Sequence, residues 1–299
     1  MSQAFSLSVK KPYGLALVCR IWRIPRSTFY EQSRHDRNSP SNCRRRGPKG
    51  PLSDSQLTEE IRTVIQASRF HSEGYRKVWA RLRFRKIYTS KRRVLRLMRE
   101  NDLLAVHRQG NARGPKAHDG KIVTSQVNTV WGTDLTTTMT VKEGRASIFF
   151  TVDHCSCECV GIHAAKYGTR FEALEPLRQG VKDHFGAFSK DAAAGLSLRH
   201  DHGSQFISHD FQSELKFLGI ASSPAYVREP QGNGCAERFV RTLKENLLWL
   251  QSFETVEELR EALIAFRKNY NENWIIERHG YKTPSQVREE QSQGMLQAA

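Results

Sequence analysis

The sequence predicts an α/β fold, a mixed sheet flanked by helices, preceded by a small all-α basic domain. Three observations lead there. Segments 127–136, 147–153 and 158–164 are rich in β-branched and aromatic residues, and helical and strand-like segments alternate after them. Upstream, three stretches between Ser53 and Asn101 carry apolar residues at helical spacing. The charge is also divided: residues 1–120 hold 27 lysines and arginines against 9 acids, so the net +16 of the 299-residue chain is wholly N-terminal. A basic module joined to a nearly neutral larger one points to a polyanion, nucleic acid foremost.

Residues 1–51 form a basic N-terminal segment. Tyr13–Trp22 carries Leu15, Leu17, Val18 and Ile21, the run Arg23-Ile24-Pro25 breaks it, and Arg26–Tyr30 restarts it. This pattern suits either a helix-turn-helix fragment or an ordinary helical hairpin. Arg34, Arg37, Arg44, Arg45, Arg46 and Lys49, set among Gly, Pro and Ser, then read as a flexible linker over 33–51 that touches phosphates.

Residues 52–105 read as a helix-turn-helix DNA-binding domain. Ser53 and Asp54 cap a first helix through Ser68, and Gly74 precedes a second with Tyr75, Val78, Trp79 and Leu82 inward and Arg76, Lys77, Arg81 and Arg83 outward. Ser90 caps a third, with Val94, Leu95 and Met98 inward. Bases are normally read from the start of a recognition helix, so Ser90, Lys91, Arg92, Arg93 and Arg96, with Arg76 beside them, are the expected DNA contacts. A basic bundle binding RNA is the alternative. Residues 106–124, with Gly110, Gly114, Pro115 and Gly120, form a linker.

The larger domain spans 125–290, with a tail at 291–299. Val127–Thr136 and Ser147–Asp153 form a hairpin through the turn at Lys142-Glu143-Gly144-Arg145, and Glu158–Ala164 is a third strand. Helix Phe171–Phe185, strand Leu196–Asp201, helix Ser208–Leu218 and strand Ile220–Ser222 follow. A Gly-rich turn then leads from Pro230 into a helix whose buried stripe is Ala236, Val240, Leu243, Leu247 and Leu250; Glu237, Arg241, Lys244 and Leu248 form a second stripe. Taken alone, that second stripe is a solvated face with a Glu237–Arg241 pair. Thr255 and Glu258 make a capping box for a last helix.

No apolar run is long enough to span a bilayer and the N-terminus lacks a secretory pattern, so a cytoplasmic protein is expected, nucleoid-associated when bound to DNA. The cysteines Cys19, Cys43, Cys155, Cys157, Cys159 and Cys235 contain no Cys-x-x-Cys and read as free thiols. Cys155, Cys157 and Cys159 alternate and would share one face of a strand; zinc held there with His154 or His163 is not expected.

Two acids stand at strand ends. Asp134 lies in Trp131-Gly132-Thr133-Asp134, and Asp201 in His200-Asp201-His202-Gly203-Ser204-Gln205-Phe206. Each alone is an ordinary turn former. With Glu237 after 35 intervening residues and Lys244 seven further on, the set resembles the signature of the DDE transposase and retroviral integrase superfamily. Asp153 also ends a strand, but no acid follows it at a matching interval. The His-Asp-x-Gly-Ser-Gln-Phe segment, Ser223-Pro224, Gln231-Gly232-Asn233-Gly234, Thr283-Pro284 and the block Gly74-Tyr75-Arg76 are similar to OrfB-type transposases of the IS-three insertion-sequence family.

That resemblance implies an RNase H-like sheet in which the Asp134 strand lies beside the one ending at Asp201, while Glu237 reaches in from a helix. It implies Asp134, Asp201 and Glu237 as catalytic and metal-binding residues for two Mg²⁺ or Mn²⁺ ions, Asp134 bridging both; oxygen-only ligands suit these cations. Lys244 is expected to hold a phosphate of the element end; Gln231 and Asn233 either touch DNA near the cut or serve turn geometry alone, Arg241 is a further expected DNA contact, and His202 is a weaker candidate. No zinc module of the retroviral type is found.

The implied function is an insertion-sequence transposase that binds terminal inverted repeats, cuts a strand and transfers it, first joining the element's ends into a circle. Its partners are double-stranded DNA, both element ends and target, further copies of the chain on that DNA, and an upstream-frame protein of the same element. The rival is a DNA-binding regulator or inactive remnant, for which loss of a carboxylate is expected, and none is missing. A nuclease that only hydrolyses is the third reading.

Overall fold

The computed structural model describes residues 3–37, 51–71, 73–105, 124–224 and 233–298. They fall into two compact units, Met1–Pro51 and Leu52–Ala299. In the first, helix α1 (Gly14–Ile21) gives way to a turn at Arg23, which has a left-handed φ of 53°, and α2 (Arg26–Arg37) follows. The second helix therefore runs on through residues 33–37, where a flexible linker was expected; residues 38–50 of that linker lie outside the described residues. Leu17, Ile21, Trp22 and Phe29 stay exposed, because a helix pair this short has too little surface to close a core.

The second unit begins with three helices, α3 (Asp54–Gln66), α4 (Tyr75–Phe84) and α5 (Lys91–Glu100). Leu57, Ile61, Val64, Val78, Leu82, Val94, Leu97 and Met98 close their core. The caps are those the sequence predicts. Ser53 Oγ accepts from the Gln56 amide at 3.2 Å while Gln56 Oε1 accepts from the Ser53 amide at 2.9 Å, and Ser90 Oγ accepts from the Arg93 amide at 3.2 Å. This block rests on the rest of the unit: Phe70 meets Trp274 edge-on at 4.8 Å, Trp79 meets Tyr281, and Glu277 receives both Arg76 and Lys91. The expected linker, apart from Thr124, lies outside the described residues.

Among the described residues, β1 (Val130–Thr140), β2 (Gly144–Asp153), β3 (Cys159–Ala165), β4 (Ser197–His200) and β5 (Ala221–Pro224) form one sheet in the order 3-2-1-4-5. The first three pair antiparallel, while β4 runs parallel to β1 and β5 parallel to β4. This is the RNase H-like mixed sheet. The hairpin strands run longer than expected because β1 continues to Thr140 and β2 starts at Gly144, whose φ of 75° suits glycine at the turn exit.

Helices cover both faces. On one, Ile148, Phe150, Val152, Ile162 and Ala164 pack with Phe239 and Leu243 of α9 (Gly234–Leu243) and Leu259, Leu263, Phe266 and Tyr270 of α10 (Val256–Asn273). On the other, Trp131, Phe149 and Leu198 meet α6 (Arg170–Phe185), α7 (Ser204–Ile207) and α8 (His209–Phe217). Coverage on both sides explains why β2 reads as a continuous apolar run instead of alternating. Thr255 Oγ1 caps α10 by accepting from the Glu258 amide at 3.2 Å. The chain ends in α11 (Pro284–Ala298), and no described helix is long and apolar enough to cross a membrane.

Two local expectations are corrected. Cys155 and Cys157 do not lie on a strand; they occupy the turn between β2 and β3, where Cys157 has a φ of 61°, and only Cys159 of the three enters β3. The backbone leaves the strand there because buried Asp153 accepts from the Ser156 amide at 2.7 Å and its hydroxyl at 2.9 Å, closing an Asx turn. The helix after Asn233 is also not regular throughout: Lys244–Leu248 opens into a π-helical turn. The wider turn shifts the phase of everything beyond it. Leu248, expected on the polar stripe, is buried, whereas Leu250, expected in the apolar one, is 51% exposed.

Candidate active site

The site is assembled at the C-terminal end of β4. Asp134 sits midway along β1, opposite Phe150 of β2, and the parallel register pairs Gly132 with Arg199. The pairing of the two strands ends there; two residues further along each stand Asp134 and Asp201, the first residue beyond β4, near enough for the Asp201 charge to act on the Asp134 carboxyl. Adjacent parallel strands thus bring together two acids separated by 66 intervening positions. The Asp201 carboxylate accepts from the Gly203 amide at 2.8 Å, which fixes the turn into α7.

Glu237 lies in the first turn of α9, on its exposed side, and Lys244 follows where the π-helical turn begins. Both carry charge close enough to act on Asp134. Its carboxyl is pushed up to about 6, first by burial and then by the negative charges of Asp201 and Glu237, while the Leu135 amide, donating at 2.8 Å, and the Lys244 charge pull the other way. Three acids and one lysine therefore share a field. Among the described residues, however, no three His, Cys, Asp or Glu side chains converge tightly enough to hold a metal ion. The donor set is nonetheless oxygen-only, and the charge on Asp134, opposed first by burial and then by the two neighbouring acids, is one that a hard cation would stabilise. In kind, the residues fit.

Asn233 was expected in a mobile turn, touching DNA or serving turn geometry. It is instead buried, and its Nδ2 donates to the Thr133 carbonyl at 3.1 Å, tying the entry of α9 to the residue before Asp134. Gly132 makes that possible: a Cβ there would lie 2.5 Å from Asn233 Oδ1 and 2.6 Å from His154 Nε2. A further positioning residue is His200, buried at the end of β4, whose Nδ1 lies 2.7 Å from the Asp201 carbonyl oxygen and whose Nε2 lies 2.9 Å from Ser222 Oγ. The sequence does not foretell the inward contact of Asn233, and His200 was not among the candidates, although it adjoins Asp201 and its alternation with Leu198 signals burial. Gln231 lies outside the described residues. Arg241 is exposed and pairs with Glu245 at 2.9 Å, not with Glu237 as the isolated pattern suggested. His202 is exposed beside Asp201, and Asp153, buried at the end of β2, is taken up by the Ser156 amide and hydroxyl.

The expected DNA-binding residues of the helical block divide. Arg93 and Arg96 both clamp Asp54, at 2.7 and 2.6 Å, and Arg96 also meets Glu100. Arg76 and Lys91 are turned to Glu277, and the Ser90 hydroxyl caps its own helix. Arg92 remains on the exposed face.

Comparison with known proteins agrees with this architecture. Residues 52–110 match the HTH-like domain model, and residues 124–230 and 218–284 match two models described as the integrase core domain. The chain is 24% identical over 286 residues to "Transposase InsD for insertion element IS2A/D/F/H/I/K" of Escherichia coli, an alignment covering 92% of this chain and 91% of that protein. Among solved structures it resembles the catalytic core domain of BIV integrase, with 23% identity, TM-score 0.42, and coverage of 56% of this chain and 99% of that one. It also resembles the HTLV-2 integrase catalytic core domain in complex with magnesium, with 20% identity, TM-score 0.41, and coverage of 55% and 98%.

Proposed function

Since the chain belongs to the DDE transposase and integrase superfamily, with the OrfB-type transposases of the IS-three family as its kin, we propose that it is the transposase of an insertion sequence, cutting and joining DNA with Asp134, Asp201 and Glu237. The observation that carries this reading is the meeting of Asp134 and Asp201 across adjacent parallel strands, with Glu237 and Lys244 acting on the same carboxyl.

In this reading Asp134, Asp201 and Glu237 would hold the divalent cations, Mg²⁺ or Mn²⁺. The chemistry such ions supply when bound is activation of a water or 3′-hydroxyl oxygen and stabilisation of the leaving oxygen. The protein's part is placement. Asp134 is held by the sheet, Asp201 by its turn, and Glu237 by a helix whose entry Asn233 ties to β1. Lys244 holds a phosphate of the element end, and Arg241 is a second contact to DNA. Hydrolysis breaks the bond between phosphorus and a 3′ oxygen; the freed 3′-hydroxyl then attacks a second phosphodiester. The helical block, Arg92 foremost, binds the terminal repeats, and two ends joined at once require at least two copies on the DNA. The same reading has the chain act in the cytoplasm, on the nucleoid.

The test is incubation of the purified chain with labelled duplex carrying the cognate ends, in Mg²⁺, in Mn²⁺ and in EDTA, resolved on a denaturing gel. Metal-dependent nicks and joined strands are expected. Glu237→Gln should abolish both products while leaving end binding within about twofold, since it removes a metal ligand far from the basic block. Unchanged strand transfer in that variant would refute the assignment. Binding without product under every condition would instead support a regulator that binds DNA without cutting it.

A further inference from the structure

We propose that Cys157 and Cys235 form a reversible redox pair, oxidised by a hydroperoxide to a disulfide that fastens the start of α9 to the turn between β2 and β3. The two sulfurs lie 3.3 Å apart as free thiols, in contact but unbonded. A disulfide requires them to close to about 2.05 Å. That movement is small, and Cys235 is in the first turn of a helix, next to its end.

The surroundings divide the work between the two sulfurs. Arg278 Nη2 lies 2.8 Å from Cys157 Sγ and also donates to the carbonyls of His154 and Cys155, at 2.7 and 2.8 Å, so one guanidinium clamps the turn and sets positive charge on the sulfur. The Cys235 thiol donates to the same sulfur, and the His279 ring bonds it as well. Together these hold Cys157 well below the ordinary thiol range against the opposing effect of burial. Cys157 is the nucleophile, and Cys235, partly open to solvent, is the resolving partner.

The neighbouring cysteines are placed differently. Burial pushes Cys155 up, and it lies 3.3 Å from Gln291 Nε2; Cys159 is pushed up to about 12 and donates to the Gly161 carbonyl. Both stay as protonated thiols.

The chemistry balances in two steps. The Cys157 thiolate attacks one peroxide oxygen, the O–O bond breaks, and a sulfenic acid and a hydroxide form. The Cys235 sulfur then attacks the sulfenic sulfur, the S–O bond breaks, and water leaves with the thiol proton. The sulfurs lose two electrons and the peroxide gains them. Because Cys235 stands two residues before Glu237, the bond fixes the helical turn that carries that carboxylate.

The experiment uses the full chain, reduced and desalted, titrated with hydrogen peroxide, blocked with N-ethylmaleimide, digested and mapped by mass. The expected first product has lost two hydrogens, joins the Cys157 and Cys235 peptides, and is reversed by dithiothreitol. In Cys235→Ser the reaction should stop at a Cys157 sulfenic acid captured by dimedone. The proposal is overturned if the first product joins another pair such as Cys155 and Cys157, if both thiols remain open to maleimide, or if Cys235→Ser yields no dimedone adduct on Cys157. Neither DNA nor metal enters the assay, so its outcome is independent of whether the chain cuts DNA.

Discussion

Asp134 illustrates how a site sets its own pH response. Its carboxyl titrates at about 6 in the fold against 3.8 in a free chain, because burial and two neighbouring acids oppose its charge. Between those values the native state binds more protons than the unfolded one, so stability falls as pH rises through that window. Asp134→Asn escapes the loss. In metal-free protein this variant should exceed the parent by about 1–3 kcal/mol at pH 7, an advantage that vanishes near pH 4, as urea unfolding at the two pH values would measure. A variant no more stable than the parent at pH 7 would remove the strain from Asp134. The three acids are candidates by spacing and motif, and the structure adds that the charges of Asp201 and Glu237 act on Asp134. The inward role of Asn233 was not legible in the sequence, because Gly-Asn-Gly reads as a turn from its local chemistry and only contact with β1 turns the amide inward.

Among the elements, α5 shows why a basic helix face is not simply a DNA face. Asp54, in the first turn of α3, draws Arg93 and Arg96 inward, and their charges bind α5 to α3. Arg92 lies outside that pairing. Arg92→Ala should therefore lower affinity for the element ends by roughly 3–10-fold and reduce the slope of log K against log salt by about one, with thermal stability unchanged. Arg96→Ala should lower stability by about 1 kcal/mol as well, because it leaves Asp54 with a weaker partner set. Band-shift titrations across salt, with melting curves alongside, separate the two; equal melting temperatures would sink the distinction. Helix starts were legible because Ser53, Ser90 and Thr255 announce them. The π-helical turn at Lys244–Leu248 was not, since regular 3.6-residue periodicity has no place for an added residue.

For the molecule as a whole, the helical block and the sheet domain of the second unit meet at a seam that contains a buried amine. Lys77 lies over the Trp274 ring with no hydrogen-bond partner among the described residues, and burial pulls it down to about 6. At neutral pH the contact is therefore mainly between a neutral amine and the ring. From pH 6 to 10.5 the unfolded chain holds the proton that the fold rejects, so stability should rise with pH across that range. Lys77→Met should flatten this dependence and stabilise the protein at pH 7 by on the order of 2–4 kcal/mol. Denaturant unfolding from pH 6 to 9 checks it, and parallel curves for parent and variant would count against a buried neutral amine.

The basic N-terminal part, the order of helices and strands, and the candidate acids were determined by the sequence itself, because charge, periodicity, caps and motif spacing are local quantities read along the chain. The tertiary structure decided what depends on partners distant in sequence. It brought Asp134 within reach of the Asp201 charge, turned Asn233 inward against β1, drew Arg93 and Arg96 to Asp54, and set Cys157 against Cys235. Each of those outcomes follows from strand register or helix packing, which bring together residues whose local patterns carry no mark of one another.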